Sequence, residues 1–476
     1  MIVIPKGTQA EVLALEPKGH IVVLGTAGSG KTTMALLRAE VLSNLIDNPK
    51  VLVVTFNTAL VAYMNNIQTT AHGRAFEVLN YHKFARGYLN SVGKMGRNCI
   101  ADDNARQGIV EDILRGAKEK HPGESTFTRP VQTFVEEIKF IERFGIRTKE
   151  EYNAVERIGR ADTNIRRDNR KLFFAVYEAY VKRRTEKGLL YDWDDIATSV
   201  YDALLEDNRP RMYKHIIVDE GQDFSPMMLK SLVHAIPTDG TFTFFGDVAQ
   251  QIYGNAISWK SSGIDVQSRI HQQRKIWKFE NNYRNPYEVA VFAQDITKHP
   301  LWEAKGEDYV TPKFERPAAG LRPTLVKYSD SVKETAALVQ LINSNRIGRS
   351  VVIAKNRDIT AEITQKLNNS GIRATEIKRE TSSGVADGVY VTTFHSVKGL
   401  EFDSVYIPYL NDGDFPGEDK LEAAESEDGV YANGLKLLYV AVTRTVQSVV
   451  MSYSGELTRL FPSISENFVT VDKSEE

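Results

Sequence analysis

Along this chain, short apolar runs alternate with longer stretches in which apolar residues recur every three or four positions. GHIVVLG at 19–25 is a compact apolar run with two valines and an isoleucine, and KTTMALLRAEVLSNLI, starting at residue 31, has its apolar residues at helical spacing. The pattern predicts a strand, a loop and a helix. VLVVTFN supplies a second strand, while HIIVDEGQD (215–223) and TFTFFGD (241–247) supply two more, each apolar and each ending abruptly in carboxylates. Apolar strands alternating with helices predict a buried parallel sheet whose ligands gather beyond the carboxyl ends of the strands.

Between about residues 91 and 190 the pattern changes to long, charged, helical stretches such as RPVQTFVEEIKFIERFG and RKLFFAVYEAYVKRRTEKG, with no convincing strand. After residue 279 the alternation resumes with PTLVKYS, SVKETAALVQLINS, SVVIAKN, DITAEITQKLNNSG, GVYVTTF and SVYIPYL. The expected division is a first α/β domain (1–90 and 191–278), a helical insertion within it (91–190) and a second α/β domain (279–463). Residues 464–476 read as a C-terminal tail whose last residues, TVDKSEE, are frayed.

A length of 476 residues agrees with two to four domains, and 42% hydrophobic with 26% charged residues describes an ordinary globular protein. No apolar run approaches the roughly 20 residues that span a bilayer, and the N-terminus lacks a secretory layout, so the expectation is a cytoplasmic protein with no membrane role. The single cysteine, Cys99, excludes an internal disulfide and a paired-thiolate zinc site. A net charge of −2 argues against a broad basic surface for duplex DNA but leaves room for a local groove. The basic stretches NIRRDNRK and RRTEKG (164–188) and RIHQQRKIWK (269–278) are by default solvated faces, with contact to phosphate as the alternative.

Chemistry enters with GTAGSGKTT. Gly25, Thr26, Ala27, Gly28, Ser29, Gly30, Lys31, Thr32 and Thr33 satisfy the phosphate-loop spacing, in which backbone N–H groups cradle phosphates. Lys31 then reaches the terminal phosphates and Thr32 offers a hydroxyl to Mg²⁺. Asp219 and Glu220, at the end of an apolar strand, suit the two remaining tasks: Asp219 holding the metal and Glu220 deprotonating the attacking water. Together these four residues point to hydrolysis of ATP or GTP.

DEGQD, GDVAQQIYG, NNYRNP, TTFHSVKGLEF and LLYVAVTR follow in this order, and together they closely resemble the ordered motifs of superfamily 1A helicases, the UvrD, Rep and PcrA family. The resemblance runs from Gln9 to Arg444. It implies an α/β fold of two RecA-like P-loop motor domains, with parallel sheets flanked by helices and a helical insertion in the first. It further implies ATP-dependent 3′ to 5′ movement on single-stranded DNA. By the same resemblance Gln9 recognises adenine, Tyr283 stacks on it and Glu401 contacts the ribose. Gln222 and Gln250 sense the terminal phosphate, and Arg284 and Arg444 reach it from the second domain. The family's DNA-contacting segments correspond to Thr55, Phe56, Asn57, His82, Phe84, Trp193, Tyr253 and His395, where aromatic rings can stack on bases without reading sequence. For Phe84 and Trp193 an ordinary place in the core is an equal alternative.

Three departures from the family stand out. Arg284 and Thr392 are 108 positions apart, an interval already filled by strands and helices of the motor domain, so no full-sized second insertion fits. The chain is therefore expected to translocate but to unwind poorly without a partner. Trp259 stands four residues beyond Asn255, the place where the family often has a tryptophan, and Lys436 is the one cation close before LLYVAVTR. Two other readings stay open: an ATP-gated adaptor working with a nuclease in repair or phage defence, and a motor directed to RNA.

Overall fold

The computed structural model describes residues 4–56, 61, 76–155, 157, 165–250, 259–266, 276–302, 308–314, 321–345, 348–377, 386–417 and 427–475. The first sheet contains β1 (Gly19–Gly25), β2 (Val51–Thr55), β3 (Glu77–Asn80), β4 (His215–Val218), β5 (Thr241–Gly246) and β6 (Trp277–Phe279). Their spatial order is β3-β2-β4-β5-β1-β6, and every pairing is parallel. All residues of β2, β4 and β5 are buried, as strands covered by helices on both faces require. The helix α1 (Lys31–Ser43) starts directly from the loop that follows β1, with Gly30 at its N-cap in a left-handed conformation (φ 81°).

Inserted between β3 and β4 are the helices α2 (Asp103–Lys120), α3 (Val131–Phe144) and α4 (Arg167–Glu186), which enclose their own apolar core around Val110, Phe134, Ile138, Phe173 and Tyr180. One element in this region escapes the periodicity: Ile100–Ala101 pairs in parallel with Tyr191–Asp192. A two-residue strand is too short to show alternation. The charged stretches also differ from expectation, because Arg170 and Arg184 lie inside the protein rather than on a solvated face. Arg170 Nη1 donates to the carbonyls of Tyr152, Asn153 and Val155, and Arg184 is paired with Asp192 and Asp195.

The second sheet contains β7 (Thr324–Tyr328), β8 (Arg349–Ala354), β9 (Ala374–Glu376), β10 (Gly388–Thr393), β11 (Phe402–Ile407), β12 (Thr445–Tyr453) and β13 (Val469–Lys473). Its order is β9-β10-β8-β11-β12-β7-β13, again entirely parallel. The helix α5 (Glu427–Val442) is buried along most of its length and leads into β12 through Thr443 and Arg444. The fold is thus the expected α/β pair of parallel sheets flanked by helices. The segment read as a frayed tail instead supplies β13, an edge strand on β7. Its polar, exposed residues hid the pairing, since an edge strand need bury little. Among the described residues no helix is long and apolar enough to cross a membrane.

Candidate nucleotide site and nucleic-acid face

The first sheet directs the carboxyl ends of its strands toward a cleft, and the second domain meets it with Glu401 and Arg444, at the amino ends of β11 and β12. β1 ends at Gly25, where the loop 25–30 turns into α1. Gly28 has φ +69°, and a Cβ there would lie 2.5 Å from Asn282 Oδ1 and 2.6 Å from Arg284 Cβ, so only glycine lets the segment after β6 approach this closely. That approach is fixed by the Tyr283 N–H, which donates to Gly28 O at 2.9 Å. Gln9 closes the loop from the other side through Nε2 to Ser29 O at 3.0 Å. Gln9 and Tyr283 therefore flank the same loop, with Tyr283 partly exposed (37%) and its hydroxyl accepting from Asn281 Nδ2 at 3.2 Å.

Lys31 is buried and turned onto the loop itself, its Nζ donating to Gly25 O at 3.0 Å and Thr26 O at 2.8 Å, with Asp247 Oδ2 at 3.5 Å. Thr32 Oγ1 donates to Asp219 Oδ2 at 2.8 Å. Asp219 Oδ1 is buried with no hydrogen-bond partner among the described residues, as is Ser29 Oγ. A buried anionic oxygen beside a threonine hydroxyl is a donor set that suits a hard divalent cation. Burial first, and then the charge of Glu220, push the Asp219 carboxyl up to about 7.

Glu220 follows in a left-handed backbone conformation (φ 52°), which breaks the strand and turns its carboxylate into the cleft. Burial alone would raise its pKa, but the charges of Lys398, Lys31 and Arg444 outweigh it and hold the group below the usual carboxylate range. It accepts a short hydrogen bond from Gln222 Nε2. Gln222 Oε1 in turn accepts the Asp247 N–H at 2.9 Å, and Gln250 Nε2 donates to Asp247 Oδ2 at 2.6 Å. The two glutamines are thereby joined through Asp247, a residue that the sequence reading passed over although it stands inside GDVAQQ.

Cations from the second sheet complete the cleft. Arg444 Nη2 donates to Gln250 Oε1 at 2.7 Å while its Nε donates to Val440 O at 3.0 Å, and the side chain is 1% exposed. Burial lowers its pKa to about 10, which leaves it charged at neutral pH. Arg284 pairs with Glu401 through Nη2 and donates from Nη1 to Thr443 O at 3.4 Å. Its charge is the leading reason that the Glu401 pKa is depressed. Lys398, also passed over, donates from Nζ to Asp223 Oδ1 at 2.5 Å and to Gln250 O at 2.7 Å. Its signal was SVKG in the fourth motif, but only the fold reveals the partner.

The residues assigned to DNA scatter more widely. Phe56, His82 and Trp193 form a connected aromatic face, with ring centroids 5.8 Å apart for Phe56 and His82 and 4.9 Å apart for His82 and Trp193, both edge-to-face. Thr55 is fully buried at the end of β2, its hydroxyl without a partner among the described residues. Phe84 is 6% exposed and packs in the core with Tyr81 and Tyr88, so its ring offers no face to a base. His395 is half-buried in the turn after β10. Asn57 and Tyr253 lie outside the described residues. Trp259 is a core residue, donating from Nε1 to Asp308 Oδ2 at 2.8 Å and packing edge-to-face on Phe244.

Fold and site together define a P-loop nucleotide-binding protein with two parallel-sheet domains facing one cleft. Residues 6–273 match the model of the UvrD/REP helicase N-terminal domain, and residues 345–456 match that of the UvrD-like helicase C-terminal domain. The chain belongs to the UvrD/REP helicase family. It is 26% identical over 303 residues to YjcD of Bacillus subtilis (strain 168), described as an ATP-dependent DNA helicase, covering 60% of this chain and 37% of that protein. It is 24% identical over 386 residues to the ATP-dependent DNA helicase UvrD2 of Mycobacterium tuberculosis (strain ATCC 25618 / H37Rv), covering 76% of this chain and 54% of the relative. A protein of Mycoplasma pneumoniae (strain ATCC 29342 / M129 / Subtype 1) named as a DNA helicase is 21% identical over 457 residues, covering 90% of this chain and 79% of the relative.

Proposed function

We propose that this protein hydrolyses ATP between its two sheets and uses the closing of that cleft to move along single-stranded DNA in the 3′ to 5′ direction. The observation that carries the reading is Arg444 of the second sheet bonded to Gln250 of the first, one residue network away from Glu220. A guanidinium that reaches the reacting phosphate only when the two sheets approach makes hydrolysis depend on closure. We assign residues 1–90 with 191–278 to the first motor domain, 91–190 to the helical insertion and 279–463 to the second motor domain.

In this mechanism the N–H groups of loop 25–30 and Lys31 bind the phosphates, Gln9 and Tyr283 hold the base, and Glu401 orients the ribose. Thr32 and Asp219 would hold Mg²⁺, which neutralises charge on the phosphates when bound. Glu220, kept ionised by the surrounding cations, takes the proton of the attacking water. Gln222 orients Glu220, while Gln250 links Arg444 to the first sheet. Phe56, His82 and Trp193 present rings to successive bases, which a non-sequence-specific motor requires. The described part of the interval 284–392 is occupied by elements of the second domain itself, so strand separation without a helper is expected to be weak.

The test is the ATPase rate with no polymer, with single-stranded DNA, with duplex and with RNA. Strong stimulation by single-stranded DNA alone supports the motor, and a rate indifferent to nucleic acid refutes it.

A further inference from the structure

Four carboxylates and three arginines are packed together at the junction of the helical insertion and the first sheet, far from the nucleotide loop in sequence. The carboxylates are Glu142, Asp192, Asp194 and Asp195, and the arginines come one each from three helices or their ends: Arg106 on α2, Arg143 on α3 and Arg184 on α4. Arg106 Nη2 lies 2.9 Å from Asp192 Oδ1 and 2.8 Å from Asp194 Oδ2. Arg184 reaches Asp192 Oδ2 at 3.0 Å and Asp195 Oδ2 at 2.5 Å, and Arg143 Nε reaches Asp194 Oδ1 at 2.7 Å. Glu142, Asp192 and Asp194 bring carboxylate oxygens within 4.8 Å of one another, a spacing that could hold a metal ion. Here Arg106 already supplies the positive charge among them, so a cation is not needed.

A buried network of this size adds little stability over apolar packing, and its value lies in the geometry it fixes. The geometry fixed is a single turn, Asp192–Asp195. Asp192 Oδ1 accepts the N–H groups of Asp194 at 2.9 Å and Asp195 at 3.0 Å, and Asp195 Oδ1 accepts the N–H of Asp192 at 2.8 Å. Tyr180 adds its hydroxyl on Asp192 Oδ2 at 2.9 Å. Trp193 is the one side chain of that turn outside the network, half-exposed, with its ring on His82.

We propose that this network is a positioning device for Trp193, through which the helical insertion sets the angle and height of one ring on the DNA face. Arg106, Arg143 and Arg184 are positioning residues that never touch DNA, and the affinity for single strands depends on them through the turn. The inference rests on the reading that Trp193 stacks on a base.

The experiment titrates the ATPase of the full chain with oligodeoxythymidylate, comparing the parent with Arg106→Gln, Asp194→Asn, Trp193→Ala and the Arg106→Gln/Trp193→Ala double variant. Arg106→Gln and Asp194→Asn are expected to raise the half-saturating oligonucleotide concentration about tenfold, the size of one base stack. Their rates without DNA and at saturating DNA stay within about twofold of the parent. The double variant is expected to match Trp193→Ala alone, because the network acts through that ring. If Arg106→Gln does not fold, Asp194→Asn, which removes one charge and keeps the side-chain shape, carries the same comparison in its own double variant with Trp193→Ala. A fall in the DNA-free rate equal to the fall in the stimulated rate, or effects that multiply in the double variant, would overturn the proposal. Trp193→Ala with unchanged half-saturation would overturn it too, by removing the stacking role of Trp193 itself, while stimulation by DNA in the parent would show the motor reading intact.

Discussion

Lys398 Nζ, carried by the second sheet, lies 2.5 Å from Asp223 Oδ1 of the first, and both side chains are buried. The pair closes the cleft beside Glu220. Burial pushes the Asp223 carboxyl up to about 6 even against the neighbouring ammonium, so the group depends on that ammonium for its charge. Removing one partner of a buried pair costs about 3–5 kcal/mol, because the other remains uncompensated. Lys398→Met is expected to lower the thermal midpoint clearly, and Lys398→Met with Asp223→Leu to restore much of it. Differential scanning calorimetry of the three proteins checks the order.

Glu220 is held ionised by the charges of Lys398, Lys31 and Arg444, and it is the base we propose for the attacking water. Glu220→Gln keeps the size and one acceptor but cannot take a proton. Turnover is expected to fall about 10²–10⁴-fold, with nucleotide affinity within a few-fold of the parent. Steady-state ATPase alongside equilibrium binding of a fluorescent nucleotide separates the two.

Arg444 bonds Val440 O through Nε and both Gln250 Oε1 and Thr443 Oγ1 through Nη2, two nitrogens spaced along one rigid plane that a lysine ammonium lacks. Arg444→Ala is expected to reduce the DNA-stimulated rate about 10³–10⁵-fold, and Arg444→Lys to recover little of it. The measurement is kcat at saturating single-stranded DNA, and near-parental activity in either variant would refute the cross-cleft role.

His215 opens β4 and is completely buried, with neither ring nitrogen bonded to a partner among the described residues. Burial first, then the charges of Lys214 and Arg38, lower its pKa from 6.5 to about 4. The unfolded chain therefore binds a proton that the native ring refuses. Stability is unaffected above about pH 6.5 and falls as pH drops toward 4, by at most about 3 kcal/mol. His215→Val is expected to flatten this acid limb between pH 7 and 5, as followed by thermal midpoints.

What the sequence revealed was whatever is local. Apolar runs gave the strands, and Lys31, Thr32, Asp219 and Glu220 could be assigned because their spacing to those strands is part of the chemistry. Asp223 and Lys398 both stood in quoted motifs, but a partnership spanning 175 positions has no local signature. Arg184 shows the opposite failure: in RRTEKG it resembles any surface cation, and only the convergence of three helices on Asp192 explains its burial. Phe84 and Phe56 are both aromatic beside the same strands, yet Phe84 is buried in the core while Phe56, packed on Phe224, stays half-exposed with its ring against His82. That choice depends on which way a helix turns on its neighbours, a property of packing rather than of spacing.

The cations around the loop also determine which anions can enter. Lys31 is engaged by Asp247 and two carbonyls, Arg284 by Glu401, Arg444 by Gln250 and Lys398 by Asp223. An incoming anion does not fall into a well of bare positive charge; it must take these donors away from acceptors that already satisfy them. Binding is then an exchange with small net change in charge pairing. A single phosphate brings one anionic group to this exchange, whereas a triphosphate chain brings three. We expect this pairing to favour a triphosphate chain over orthophosphate.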